Sequence, residues 1–168
     1  MLEIFVVAVL PALVVTAAVS DLMTMTIPNR LVLALVAAFA VAAPLSGMDP
    51  WALLAHLGAA ALVLLIGFAL FAPGWIGGGD AKLAAVTALW FGFEQLMPYL
   101  AIAGLAGGVL TLALVQLRAN PLPAPVVRWS WVRRLHSPKE GVPYGIALAF
   151  AALLVLPETS LWRASIGL

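Results

Sequence analysis

The chain has 168 residues, of which 65% are hydrophobic and 9% charged, with a net charge of +1 and no cysteine. Soluble domains carry about 25% charged residues, so this composition excludes a single water-soluble core and points to a bilayer as solvent. The near-zero net charge excludes a global field for nucleic acid, and the missing cysteines exclude disulfides, thiolate metal sites and cysteine nucleophiles.

Charged residues and Pro/Gly clusters divide the chain into six apolar segments, at about 4–20, 30–46, 51–72, 81–97, 98–117 and 142–157. They predict an all-α fold, a polytopic bundle of about six transmembrane helices forming one domain over 1–168. The first basic residue is Arg30, so the N-terminal run lacks the positive flank of a secretory signal and is expected to stay as a membrane helix. Pro28-Asn29 precedes the second segment; Pro44 and Ser46-Gly47 close it. Pro50 opens the third and Pro73-Gly74 ends it. A span needs about 20 apolar residues, which the third and fifth segments reach comfortably. The fourth is short, because only 83–93 separate Lys82 from Glu94. Either Lys82 snorkels and Glu94 lies near the far headgroups, or this helix starts below the membrane surface. Pro98 and Pro143 sit near the starts of the fifth and sixth segments, where a missing N–H is tolerated.

Six spans place loops 21–30, 73–82 and 118–141 on one side. These loops hold Arg30, Lys82, Arg118, Arg128, Arg133, Arg134 and Lys139, whereas the other side holds only Arg163. The positive-inside rule then makes the three loops cytoplasmic and sends both termini outward. Trp51, Trp75, Trp129, Trp131 and Trp162 fall near predicted segment ends, as an interfacial belt would place them. In the long loop, "VVRWSWVRRLHSPKE" mixes arginine with tryptophan. It reads as a basic segment lying on anionic headgroups, or as a grip for a substrate's leader.

Asp21 ends the first segment and Asp80 opens the fourth, and they are the only aspartates on the cytoplasmic side. Each could be a boundary charge solvated by headgroup water. Against that, Gly77, Gly78 and Gly79 lead directly into Asp80. A triple glycine suits a place where φ must be positive or another backbone must come close. Asp80 is expected at the N-cap or first turn of its helix, with Lys82 as a nearby positive charge. Two carboxylates at close range cannot both ionise cheaply and share one proton. The ionised member can take a proton from water while the protonated one polarises a carbonyl, which is hydrolysis by acid–base chemistry.

Three stretches carry a resemblance: "GGGDAKL" (G-x-G-D through Gly77, Gly79 and Asp80), "DLMTMTIPN" from Asp21, and "GVPYGIALA" at 141–149. Together they resemble the type IV prepilin peptidases, membrane aspartic proteases of the G-x-G-D group. The resemblance implies Asp21 and Asp80 as the catalytic pair and Gly77, Gly78 and Gly79 as the active-site loop. Lys82, Asn29, Pro143, Tyr144 and Gly145 become candidates for near-site or substrate-contact positions. It implies a bacterial inner-membrane enzyme, with its active site at the cytoplasmic face, that removes basic leaders from prepilins or pseudopilins after a glycine. Membrane lipids are the other expected partners; no metal or other cofactor is expected. Larger members resemble this region plus a domain bearing paired CxxC motifs, associated with N-methylation. A chain of this length without cysteine resembles the short form serving Flp-type (tight-adherence) pili, and methyltransferase activity is not expected. The alternative reading is a small proton-coupled transporter using Asp21 and Asp80 as a proton site.

Of the remaining residues, His56 lies inside the third segment, as a proton relay or as a neutral histidine bonded within the bundle. Asn29 is expected to cap or orient the second helix. Met23 and Met25 are expected to fill apolar surface beside Asp21. Gly104-x-x-x-Gly108 in the fifth segment would permit close helix approach.

Overall fold

The computed structural model describes residues 2–123 and 125–167. Among the described residues there is no strand; the chain is a bundle of helices. Helix α1 is Ile4–Thr24, α2 Asn29–Leu45, α3 Pro50–Phe71, α4 Gly78–Phe91 and α5 Leu96–Arg118. A short α6, Ser130–His136, lies in the long loop. Helix α7 is Gly145–Val155, continued by a 3-10 turn Leu156–Glu158, and α8 is Ser160–Ser165. The six predicted apolar segments are thus α1, α2, α3, α4, α5 and α7.

Local chemistry explains most of the boundaries. Pro11 has no N–H to give to the carbonyl of Val7, and α1 is wound as a wider π-helix over Ile4–Val9, with Leu10 bonding back to Phe5. Helix α3 begins where the Asp49 carboxylate accepts from the N–H groups of Trp51 and Ala52, at 2.9 and 3.1 Å. Gly74, with φ +81°, turns the chain between α3 and α4.

Helices α1, α3 and α5, at 21, 22 and 23 residues, are long and apolar enough to cross a membrane. Their outer faces are greasy: Leu105, Leu112, Leu65 and Phe68 are each more than 60% exposed. This polarity, apolar outside as well as inside, makes the molecule a helical membrane bundle.

Helix α4 departs most from expectation. It starts at Gly78 rather than near residue 81 and ends at Phe91 rather than near 97. Its 14 residues span only about 21 Å at 1.5 Å per residue, against a hydrocarbon core of about 30 Å. It tolerates this because it is wrapped by protein: α2, α3 and α7 pack around it, and Ala85 to Phe91 are all buried. Gly67 of α3 lets that helix close on α4, since a β-carbon there would stand 2.9 Å from the Ala81 Cβ. Trp90, the tryptophan outside the predicted belt, is buried here and gives its Nε1–H to the Leu35 carbonyl of α2 at 3.1 Å.

The end of α4 is closed by His56. The last four carbonyls of a helix lack intrahelical partners. His56 Nδ1 lies 2.8 Å from the Leu89 carbonyl oxygen. A carbonyl only accepts, so Nδ1 carries the proton. The ring stacks on Phe39, and Gly92, with φ +63°, takes the chain past it. Of the two sequence readings of His56, the structure carries the bonded histidine.

Candidate functional site

Asp21 lies in the last turn of α1 and is buried. Its backbone carbonyl closes the helix by accepting from Met25 N–H at 2.7 Å. Met25 adopts the left-handed conformation, φ 55°, that usually falls to glycine. Met25 therefore serves as a backbone turn rather than only as apolar filling. The Asp21 side chain points the other way. Its Oδ2 accepts from the backbone N–H of Gly145, 124 residues later, at 2.8 Å. Gly145 is the first residue of α7, so the carboxylate occupies a helix N-terminus, where orphan N–H groups and the helix dipole favour negative charge.

Asp80 stands in the first turn of α4, where the sequence placed it. Of the two uses expected of the glycines before it, close approach of another backbone holds at Gly79, where a β-carbon would lie 3.4 Å from the Ile27 nitrogen. None of the three has positive φ, so that option is overturned. Their value is the absence of a β-carbon. One on Gly77 would lie 2.6 Å from the Asp80 Oδ2, one on Gly78 3.2 Å from the Phe71 ring, and one on Gly79 3.2 Å from the Ile27 Cβ.

The two acids share one end of the bundle without their helices packing along their length: α2 and α7 lie between α1 and α4. The approach is made by loops instead. Ile27, buried in the turn after α1, sits on Gly79 next to Asp80. Tyr144, the residue before the Gly145 that binds Asp21, lines the same groove as Asp80. Asp21 is near enough to act on Asp80 electrostatically.

Lys82 and Asn29 meet each other. The Lys82 Nζ donates to the Asn29 Oδ1 at 3.1 Å. Asn29 is the first helical residue of α2, and Pro28 stands at the cap without a side-chain cap bond. Asn29 therefore links α2 to α4 rather than capping α2. Lys82 makes no ion pair with Asp80: among the described residues, the pair Arg163–Glu158, at 3.0 Å, is the salt bridge found. Pro143 is buried in the loop before α7.

Asp80 opens onto a groove of about 460 Å³ between α3, α4, α5 and α7. Its walls include Val63, Ile66, Leu70, Leu100, Gly104 and Tyr144, and Asp80 is the charged residue in it. The Gly104-x-x-x-Gly108 pair does not bring helices together. A β-carbon on either would meet nothing within 4 Å, whereas one on Gly107 would lie 2.6 Å from the Tyr144 ring. Gly107 is the contact glycine, one position off the pattern.

Sequence reasoning missed the residues that hold these loops in place. Arg118, at the end of α5, donates to the carbonyls of Leu135, Glu140 and Gly141, at 2.7, 3.2 and 2.8 Å. This folds the long loop back and delivers Gly145 to Asp21. Arg134 of α6 bonds the Met23 carbonyl at the end of α1. In the sequence both read as topology charges, and nothing local distinguishes a guanidinium that binds carbonyls from one facing solvent. Arg128, Arg133 and Lys139 are exposed, and Trp129 stacks on Trp131 with ring centroids 6.1 Å apart.

A helical membrane bundle that brings two carboxylates to one end, one buried on a helix N-terminus and one facing an apolar groove, defines a class: a membrane protein with a paired-acid site. The comparison with known families narrows it. The sequence profile of the type IV leader peptidase family matches residues 8–112, and this chain belongs to that family. The match includes Asp21, Asn29, Gly77, Gly78, Gly79, Asp80 and Lys82; Pro143, Tyr144 and Gly145 lie beyond it. A prepilin leader peptidase/N-methyltransferase of Bacillus subtilis (strain 168) is 34% identical over 132 residues, covering 75% of this chain and 53% of that protein. The chain thus spans about half the length of that curated relative. No solved structure matches the chain.

Proposed function

We propose that Asp21 and Asp80 are the catalytic pair of an aspartic endopeptidase that removes the leader from prepilins or pseudopilins. The observation that carries the reading is the asymmetric pairing at one end of the bundle. Asp21 is held by Gly145 N–H at 2.8 Å, and Asp80 opens onto the apolar groove. The apolar helix of a prepilin lies in that groove, between α3 and α5, with its scissile peptide beside Asp80. The ionised carboxylate takes a proton from water as the water oxygen attacks the carbonyl carbon. The protonated carboxyl gives its hydrogen to the carbonyl oxygen. Collapse of the tetrahedral intermediate then returns a proton to the departing amine.

A glycine at the cut suits this geometry. A helical peptide hides its carbonyl in an intrahelical bond, and glycine is a poor helix former that lets the segment unwind. The reading takes the enzyme as a multi-pass protein of the bacterial inner membrane, with the site at the cytoplasmic face and both termini outside. It covers cleavage alone; the N-methyltransferase in the relative's name belongs to that protein. The carrier alternative expects broken helices near the midplane, whereas Asp21 stands in the last turn of α1 and Asp80 in the first turn of α4. The test is cleavage of a prepilin in detergent by the purified protein. Asp21→Asn and Asp80→Asn are each expected to lower the rate by 10²-fold or more, the scale of acid–base catalysis. Cleavage at the parental rate by either variant ends the assignment.

A further inference from the structure

The contacts behind Gly145 form a directed chain of hydrogen bonds. Thr111 of α5 donates its hydroxyl proton to the Gly107 carbonyl, at 2.7 Å. A hydroxyl has one proton to give. In the 3.0 Å contact between Thr111 Oγ1 and Tyr144 Oη, the tyrosine is therefore the donor. The chain runs from Tyr144 O–H to Thr111 Oγ1, and from Thr111 O–H to Gly107 C=O. The Tyr144 ring is seated on Gly107, where a β-carbon would lie 2.6 Å from its Cε1. The next residue, Gly145, gives its N–H to the Asp21 carboxylate.

We infer that Thr111 and Tyr144 are positioning residues for the reaction: their latch fixes the first turn of α7 against α5 and so sets where the Asp21 carboxylate stands. The inference rests on the proposed acid pair. Neither latch residue is hydrogen-bonded to Asp21; they act through the Gly145 backbone. Acid–base catalysis is sensitive to such placement, and a shift of about 1 Å can lower a rate by 10²-fold. Helix α5 packs chiefly on α7, and Thr111 lies at that contact rather than in the groove. Replacing Thr111 should therefore loosen the site without altering the surface that meets substrate, whereas Tyr144 also lines the groove.

The experiment compares the parent with Thr111→Val, Tyr144→Phe, the double variant, Thr111→Ser and Asp21→Asn, all in one prepilin cleavage assay with thermal unfolding recorded in parallel. Thr111→Val and Tyr144→Phe are each expected to lower kcat about tenfold, with KM within about twofold for Thr111→Val, which lies outside the groove. The double variant is expected to be no slower than Thr111→Val, because that substitution already removes the bond that Tyr144→Phe removes. Thr111→Ser is expected to restore kcat to within about twofold. If Thr111→Val does not fold, Tyr144→Phe and Thr111→Ser carry the comparison. Parental kcat in Tyr144→Phe or Thr111→Val, additive losses in the double variant, or a change confined to KM overturns the latch while an inactive Asp21→Asn leaves the acid pair standing. An active Asp21→Asn overturns the pair, and the latch falls with it.

Discussion

Gly145 donates its backbone N–H to the Asp21 carboxylate over 2.8 Å and leaves no room for a side chain of its own: a β-carbon there would lie 2.8 Å from Oδ2 and 3.0 Å from the Asp21 Cβ. This ties the first turn of α7 to the last turn of α1. It also makes the site dependent on a residue 124 positions away.

Gly145→Ala is therefore expected to remove cleavage by about 10²-fold, because the methyl group must push the carboxylate or the start of α7 aside. The helix content, followed by circular dichroism, should stay at the parental level. Parental cleavage by this variant would show that Asp21 works from another position.

The glycines before Asp80 should differ in kind. Gly77→Ala puts a methyl 2.6 Å from the Asp80 Oδ2 and Gly79→Ala puts one 3.2 Å from Ile27 Cβ. The first should lower kcat by at least about tenfold, by displacing the acid. The second loosens the packing of the turn after α1, at a cost of about 1 kcal/mol in unfolding free energy. Steady-state kinetics and thermal unfolding in detergent separate the two.

On α5, Gly107→Ala is expected to displace Tyr144 and lower cleavage about tenfold. Gly108→Ala meets open space and should stay within about twofold of the parent. The reverse order would restore the Gly104-x-x-x-Gly108 pattern as the packing motif.

Lys82 turns to Asn29 rather than to Asp80, and the contact is exposed. Lys82→Met is accordingly expected to cost about 0.5 kcal/mol of stability or less and to leave kcat within about threefold. A loss as large as that of Asp80→Asn would place the ammonium in the reaction.

His56→Phe preserves the ring that stacks on Phe39 but removes the donor to the Leu89 carbonyl. A buried carbonyl without its partner costs about 2 kcal/mol, and the variant should unfold at a lower temperature. With the acids at the opposite end of α4, the per-molecule cleavage rate of folded variant should stay near parental. A proton-relay role would instead appear as a lost rate at unchanged stability.

The amino-acid sequence by itself determined the solvent, the number of apolar segments and the two acids. These are properties of composition and local order: 65% hydrophobic residues need lipid, proline and glycine interrupt helices, and three glycines before Asp80 are visible in a line of text. It also determined family membership over residues 8–112. Tertiary structure alone decided where the acids stand. Asp21 and Asp80 are brought to one end by Ile27 on Gly79 and by Gly145 on Asp21, contacts between loops that no periodicity encodes. It decided that α4 could be short, because α2, α3 and α7 wrap it and His56 closes its end. It also turned Lys82 toward Asn29 and put Arg118 and Arg134 on backbone carbonyls. A side chain's type states what it can bond, but its partner is set by which distant backbone arrives within about 3 Å, and that is known only once the chain has folded.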